Sequence, residues 1–146
     1  MSYRIYLSGE IHSDWRDALK TACEGLDVEW LSPVTVHEAS DDVADRILGA
    51  QPSAFYRDHA AAKINAIRIQ GNIRSADLVV VRFGDKYKQW NAAFDAGWAA
   101  ALDKPYIVLH DVSITHPLKE VDASAHAVCQ TVEQAAEIIR YVLTQA

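Results

Sequence analysis

Basic residues are scarce in this chain: 14 lysines and arginines stand against 20 aspartates and glutamates, a formal net charge of −6. Holding a polyanionic backbone requires a basic face, so the balance argues against general nucleic-acid binding. Cysteine is scarcer still. Cys23 and Cys129 are the only two and lie far apart, on a predicted helix and a predicted strand. A disulfide scaffold is therefore not expected, and reduced thiols in a cytoplasmic protein are. No apolar run approaches the roughly 20 residues of a membrane span. Met1-Ser-Tyr-Arg leads directly into a predicted strand without the pattern of a signal peptide. HExxH, CxxC and closely spaced histidine pairs are missing, so the spacing offers nothing for zinc and no metal is expected. A GxGxxG or Walker loop is missing too, which argues against a dinucleotide or P-loop nucleotide site; no cofactor is expected.

What is present is an ordinary globular composition, 50 % hydrophobic and 23 % charged with a mean hydropathy of −0.08. The 146 residues suit one domain over 1–146, with no repeat or linker. Strands are predicted at 3–7, 28–31, around the β-branched run Leu78 to Val81, at 106–109 and at 126–130. Helices are predicted at 13–24, with Trp15, Leu19 and Ala22 inward, and at 58–75, with Ile64, Ile67 and Ile69 towards the sheet. A last one at 131–144 presents Val132, Ala135, Ile138, Ile139 and Val142 on one face. The stretch 35–57 is the least readable, with an acidic patch (Asp41, Asp42, Asp45) and a short helix ended by Gly49. Strands alternating with helices predict a flavodoxin-like, doubly wound sheet of five parallel strands, three-layer α/β/α. In a 2-1-3-4-5 order, the loops leaving the first and third strands share one crevice.

The third strand leads into a polar aromatic loop, Lys86-Tyr-Lys-Gln-Trp-Asn91, and then a helix ended by Lys104-Pro105. Asn91 is the expected cap, Phe94, Trp98 and Leu102 recur at helical spacing, and Asp95 falls in the predicted first turn. A carboxylate beside a strand's carboxyl end is placed to attack an electrophilic carbon. The plainer alternative is a solvated aspartate that complements the helix dipole.

Asp95-x-Gly97-x-Ala99 followed by Lys104-Pro105 resembles the signature of the nucleoside 2-deoxyribosyltransferase superfamily, Glu-x-Gly-x-Ala and then Lys-Pro. The narrower resemblance is to the YtoQ branch. It rests on residues 6–13 (YLSGEIHS) with Trp15-Arg16, Gln51-Pro52, Phe83-Gly84 with 86–91, and 116–120 (HPLKE). The resemblance implies a nucleophilic carboxylate that captures the anomeric carbon of a sugar as its base leaves. The ester so formed passes to water or to a second base. The position holds Asp95 where the superfamily pattern has glutamate, an arm about 1.5 Å shorter.

The resemblance also implies a sugar-cradling loop at 9–13. Gly9 permits a sharp turn, Glu10 stands where related glycosidases carry a hydroxyl for phosphate, and Ser13 opens the next helix. His12 binds a hydroxyl or protonates a leaving base. Because Glu10 repels phosphate, a nucleoside is expected to bind better than its monophosphate. In the second loop, Tyr87 and Trp90 suit stacking on a base, Asn91 reads a base edge or caps the helix, and Asp85 bonds a ribose hydroxyl or orients His12. Each has a structural alternative: packing anchor, cap or turn residue. The expected partner is a small nucleoside or nucleotide, with no nucleic acid and no membrane. A homo-oligomer is expected, since relatives assemble so and Ala96, Ala99 and Ala100 offer a small face. An enzyme acting on N-glycosidic bonds is the leading reading. Its rival is a non-catalytic nucleoside-binding module on the same fold.

Overall fold

The computed structural model describes residues 1–145, apart from the side chain of His37; Ala146, the end of the expected domain, lies outside. Five strands form one parallel sheet: β1 (Tyr3–Gly9), β2 (Val28–Leu31), β3 (Leu78–Phe83), β4 (Tyr106–His110) and β5 (Ala127–Cys129). Their order is β2-β1-β3-β4-β5, with every pairing parallel. This is the expected doubly wound arrangement. The reversal point lies between β1 and β3, where Ser8 stands opposite Val81 and Gly9 opposite Arg82.

The period of two along each strand splits the core between the faces. Ile5 and Leu7 of β1 and Leu78 and Val80 of β3 meet α1 (Trp15–Ala22) and α7 (Val132–Thr144). Tyr6, Val79, Val81 and Val108 meet α4 (Ala54–Ser75) and α5 (Trp90–Ala101). Two short helices, α2 (His37–Asp41) and α3 (Val43–Leu48), fill the poorly readable stretch and pack on α4. A 3-10 turn at 112–114 and α6 (Lys119–Ala123) follow β4. None of the helices is long and apolar enough to cross a membrane, among the described residues.

Local chemistry sets the helix ends. Ser53 caps α4 by accepting from the Tyr56 N–H, and Thr131 with Gln134 forms a capping box on α7. At the end of α5, Asp103 turns left-handed (φ 54°), and the Lys104 N–H donates to the Ala99 carbonyl at 2.8 Å. This is a Schellman stop, and it explains the Lys104-Pro105 pair as helix termination.

Several expectations fail at the level of helix faces. Asn91 is not a cap: α5 begins at Trp90, and its N-terminus has no side-chain cap. Asp95 therefore sits in the second turn, too deep for the dipole to govern it. The inward face of α5 is Ala92, Ala96 and Ala99; of the residues recurring at helical spacing, Trp98 and Leu102 pack against the same core and Phe94 is 67 % exposed. Small residues let the helix lie close on the sheet, so the alanine face serves this chain's own core, and Ala100 alone of the expected oligomer face is exposed. On α4, Ile73 and Ala61 are buried while Ile67 is 75 % exposed, and on α7 Val142 is exposed beyond Ile139. The first helix starts at Trp15, two residues later than predicted, so Ser13 does not open it.

Candidate active site

Asp95 is buried, 7 % exposed, beneath the carboxyl edge of the sheet. Its Oδ2 accepts a hydrogen bond from Ser8 Oγ at 2.6 Å, and Ser8 itself is fully buried near the end of β1. The close seat of α5 on its alanines delivers this short carboxylate to the strand. Burial pushes the Asp95 carboxyl up to about 6, and the Ser8 bond offsets part of the rise. Tyr6, two residues earlier on the same face of β1, is also fully buried. Its hydroxyl makes no hydrogen bond with the described residues. Burial, with the negative charge of Asp95, pushes that phenol upward, so it stays a neutral donor.

Two cavities meet at Asp95. The smaller, about 280 Å³, lies between the β1 exit loop and the loop before α5; Gly9, Glu10, His12, Tyr87, Asn91 and Asp95 line it. The larger, about 570 Å³, runs between α4 and α5 and carries Asp58, Asn65, Trp90, Phe94, Asp95 and Trp98. Ile69, Asn91 and Asp95 are common to both. The exposed His12 ring lies 4.7 Å from that of Tyr87, so the two loops touch across the smaller cavity.

The β1 exit loop is rigidly held. Gly9 has φ +107°, and the buried Arg16 guanidinium donates to the carbonyls of Leu7, Gly9 and Glu10 at 2.6–3.3 Å. Glu10 turns both oxygens back into the loop. They accept from the His12 N–H and the Ser13 hydroxyl, and the Arg82 guanidinium lies 3.6 Å away. Burial raises the Glu10 carboxyl, but these partners outweigh it and hold it below the ordinary carboxylate range. Its charge is balanced inside the loop, which weakens the expected repulsion of a phosphate.

Of the predicted site residues, Gly9, Glu10, His12, Tyr87, Trp90, Asn91 and Asp95 line one or both cavities. Two do not. Ser13 faces a separate depression with Asp14 and Asp17, and the exposed Asp85 lines neither cavity. Gly84 abuts Glu10 instead of the cavity. In the sequence Tyr6, Ser8 and Arg16 stand out only as members of the motif, and nothing there singles out Arg82 or Asn65. An inward-facing serine at a strand's end, in a chain with a candidate nucleophile, was the one usable signal. Gly97 of the signature is exposed with open space around it, and the packing gives no reason for it. Among the described residues, no group of three or more His, Cys, Asp or Glu side chains is placed to hold a metal ion.

The family model described as "Nucleoside 2-deoxyribosyltransferase YtoQ" matches residues 6–143. The chain belongs to this family. The uncharacterized protein YtoQ of Bacillus subtilis (strain 168) is 40 % identical over 144 residues, covering 97 % of each chain. Among solved structures, the chain is similar to the 2-deoxyribosyltransferase of Bacillus psychrosaccharolyticus (TM-score 0.56, 16 % identity, 91 % of this chain and 90 % of that one). It is similar also to a conserved protein of Enterococcus faecalis V583 (0.64, 16 %, 98 % and 100 %). A third is the CMP N-glycosidase BcmB of Clostridium botulinum (0.55, 13 %, 96 % and 99 %). At these identities the structural likenesses establish the shared fold. Family membership supports a nucleoside-processing, N-glycosidic type of site for this YtoQ-family chain.

The Ser8 bond makes a test available within the site. Ser8→Ala removes the donor to an ionised, buried acceptor, a loss of about 1.5–3 kcal/mol for hydrogen bonds of this kind. The ionised form of Asp95 is disfavoured further, so the acid limb of any Asp95-dependent rate profile is expected to move up by about one pH unit or more. A profile of kcat/KM against pH reads this directly; an unmoved limb would show that the Ser8–Asp95 bond does not govern it.

Proposed function

We propose that this protein cleaves or exchanges the N-glycosidic bond of a nucleoside through Asp95. The supporting observation is the buried Asp95 carboxylate, held by Ser8 where two cavities meet at the carboxyl edge of a nucleoside 2-deoxyribosyltransferase-family sheet. The division of space suits the two halves of a nucleoside. The smaller cavity takes the sugar, with Gly9 and Glu10 shaping its floor and His12 at a hydroxyl. The larger takes the base, against Trp90, Phe94 and Trp98. Oδ2 is committed to Ser8, which leaves Oδ1 to attack the anomeric carbon. The C1′–N bond breaks with its electron pair on the base, and a glycosyl ester of Asp95 forms. Water or a second base entering the vacated cavity then displaces Asp95.

The experiment is incubation with a panel of nucleosides and their 5′-monophosphates, following free base by chromatography and the glycosyl ester by intact mass. Base release is expected with a glycosyl mass increase that Asp95→Asn does not show. Binding of nucleosides with no release from any of them would favour a non-catalytic binding module on this fold.

A further inference from the structure

Every charged side chain in the described lining of the larger cavity is acidic. Among the described residues lining it, Asp58 and Asp95 bring carboxylates, and no lysine, arginine or histidine lines it. Trp90, Phe94 and Trp98 supply aromatic surface in the same space. Carboxylates around aromatic faces form the setting that recognises an organic cation. Two of these rings already carry one: Lys88 Nζ stands 5.5 Å from the Trp90 ring and the Arg74 guanidinium 5.8 Å from that of Trp98, neither of them part of the lining.

Chemistry points the same way. A neutral purine or pyrimidine leaves poorly unless a proton reaches it in the transition state. Among its described lining the larger cavity's titratable groups are all carboxyls, with no histidine, lysine, tyrosine or cysteine, and His12 lies in the smaller cavity. The Asn65 amide N–H groups are spent on Ala61 and Ser40. A base already cationic at its glycosidic ring needs no proton to depart.

We propose that the larger cavity is an aglycone site for cationic heteroaromatic bases, of the N-alkylpyridinium or N7-alkylpurinium type. The inference rests on the N-glycosidic reading above. In the step, Asp95 Oδ1 gives an electron pair to C1′ as the C1′–N bond breaks, and that bond's pair goes to the ring nitrogen. The cationic base becomes neutral, and the carboxylate becomes a neutral ester. Water then cleaves the ester, releasing the sugar and one proton and restoring the carboxylate. Asp58 orients the cation, and the aromatic rings cover it.

The test separates binding from the higher intrinsic reactivity of a cationic leaving group. Calorimetric titrations compare 1-methylnicotinamide with nicotinamide, a pair with no glycosidic bond. Base-release assays compare 7-methylguanosine with guanosine and include nicotinamide riboside, with spontaneous loss subtracted. The expected result is about tenfold tighter binding of 1-methylnicotinamide and a cation preference in kcat/KM that falls about fivefold in Asp58→Asn. Trp90→Leu, also at an exposed position, should lower the binding preference independently. Release from neutral nucleosides without tighter binding of the cation overturns this inference and leaves the glycosidic reading standing. Absence of release from every compound overturns the glycosidic reading, and the titration then decides the cation site alone: equal binding of the two nicotinamides removes it.

Discussion

An Asp95→Asn variant is expected to lose base release by about 10³-fold or more while binding nucleosides within a few-fold of the parent chain. The substitution keeps the shape of the side chain, and the Ser8 hydroxyl still has an oxygen to donate to. What disappears is the lone pair on an anionic oxygen. The same variant is expected to be more stable. Asp95 has its carboxyl raised to about 6 by burial, against about 3.9 in an unfolded chain. The native state therefore holds its proton more tightly, and stability falls as pH climbs from about 4 to about 6, then stays level. That loss amounts to about 3 kcal/mol at full ionisation. Asparagine escapes it but buries an amide N–H₂ without a matched acceptor, so roughly 1–2 kcal/mol of net gain is expected at pH 8. The midpoint of thermal unfolding should rise by roughly 3–6 °C at pH 8 and show no such rise below pH 4. Stability gained together with activity lost would mark Asp95 as a group kept for chemistry. Undiminished turnover in the variant would remove it as the nucleophile.

The sheet was legible because its signal is local. The run Leu78 to Val81 is apolar on both faces, as a central parallel strand requires, and the alternation of elements predicts a parallel sheet, for which five strands suit the flavodoxin-like order. Asp95 was singled out by the resemblance of Asp95-x-Gly97-x-Ala99 and Lys104-Pro105 to the superfamily signature; spacing alone favoured a solvated first-turn aspartate. Its setting was not legible, because the groups that define it are remote in sequence. Ser8 is 87 residues from Asp95, and Arg82 reaches Glu10 only because the ends of β1 and β3 run side by side. No periodicity announces either pairing. Helix faces failed for another reason. The helix α5 is apolar nearly all round, so spacing supports an aromatic stripe and an alanine stripe alike. Contact distance decides between them: the alanines fit against the sheet, Trp98 packs at the edge of the same core, and Phe94 turns out to line a cavity. On α4 the inward face runs through Ala61 and Ile73, and the outward Ile67 misleads any count of large residues.

Gly9→Ala is expected to cost at least about 3 kcal/mol of stability and lower the unfolding midpoint by roughly 10 °C. Two independent penalties combine. At φ +107° an L side chain meets its own backbone, a cost of about 1–3 kcal/mol. A Cβ there would also stand 2.0 Å from the Arg82 carbonyl oxygen, far inside contact distance, and that oxygen belongs to a paired strand. Relief demands that β1 and β3 part at the crevice, breaking the 3.1 Å bond from the Glu10 N–H to the Arg82 carbonyl. Gly84→Ala is the contrasting variant. Its Cβ would meet only the Glu10 side chain, with Cγ at 2.7 Å. That side chain can swing away, so the stability loss should be smaller, about 1 kcal/mol. Swinging, however, surrenders the bonds from His12 and Ser13 and the Arg82 pairing that shape the smaller cavity. Gly84→Ala should therefore raise KM for any nucleoside found to be turned over with only a small drop in the unfolding midpoint, whereas Gly9→Ala should show the larger drop in midpoint. Denaturant titration and steady-state kinetics on the two variants separate the roles. Equal stability losses would mean that the strand ends yield as easily as a side chain, contrary to the packing seen between β1 and β3.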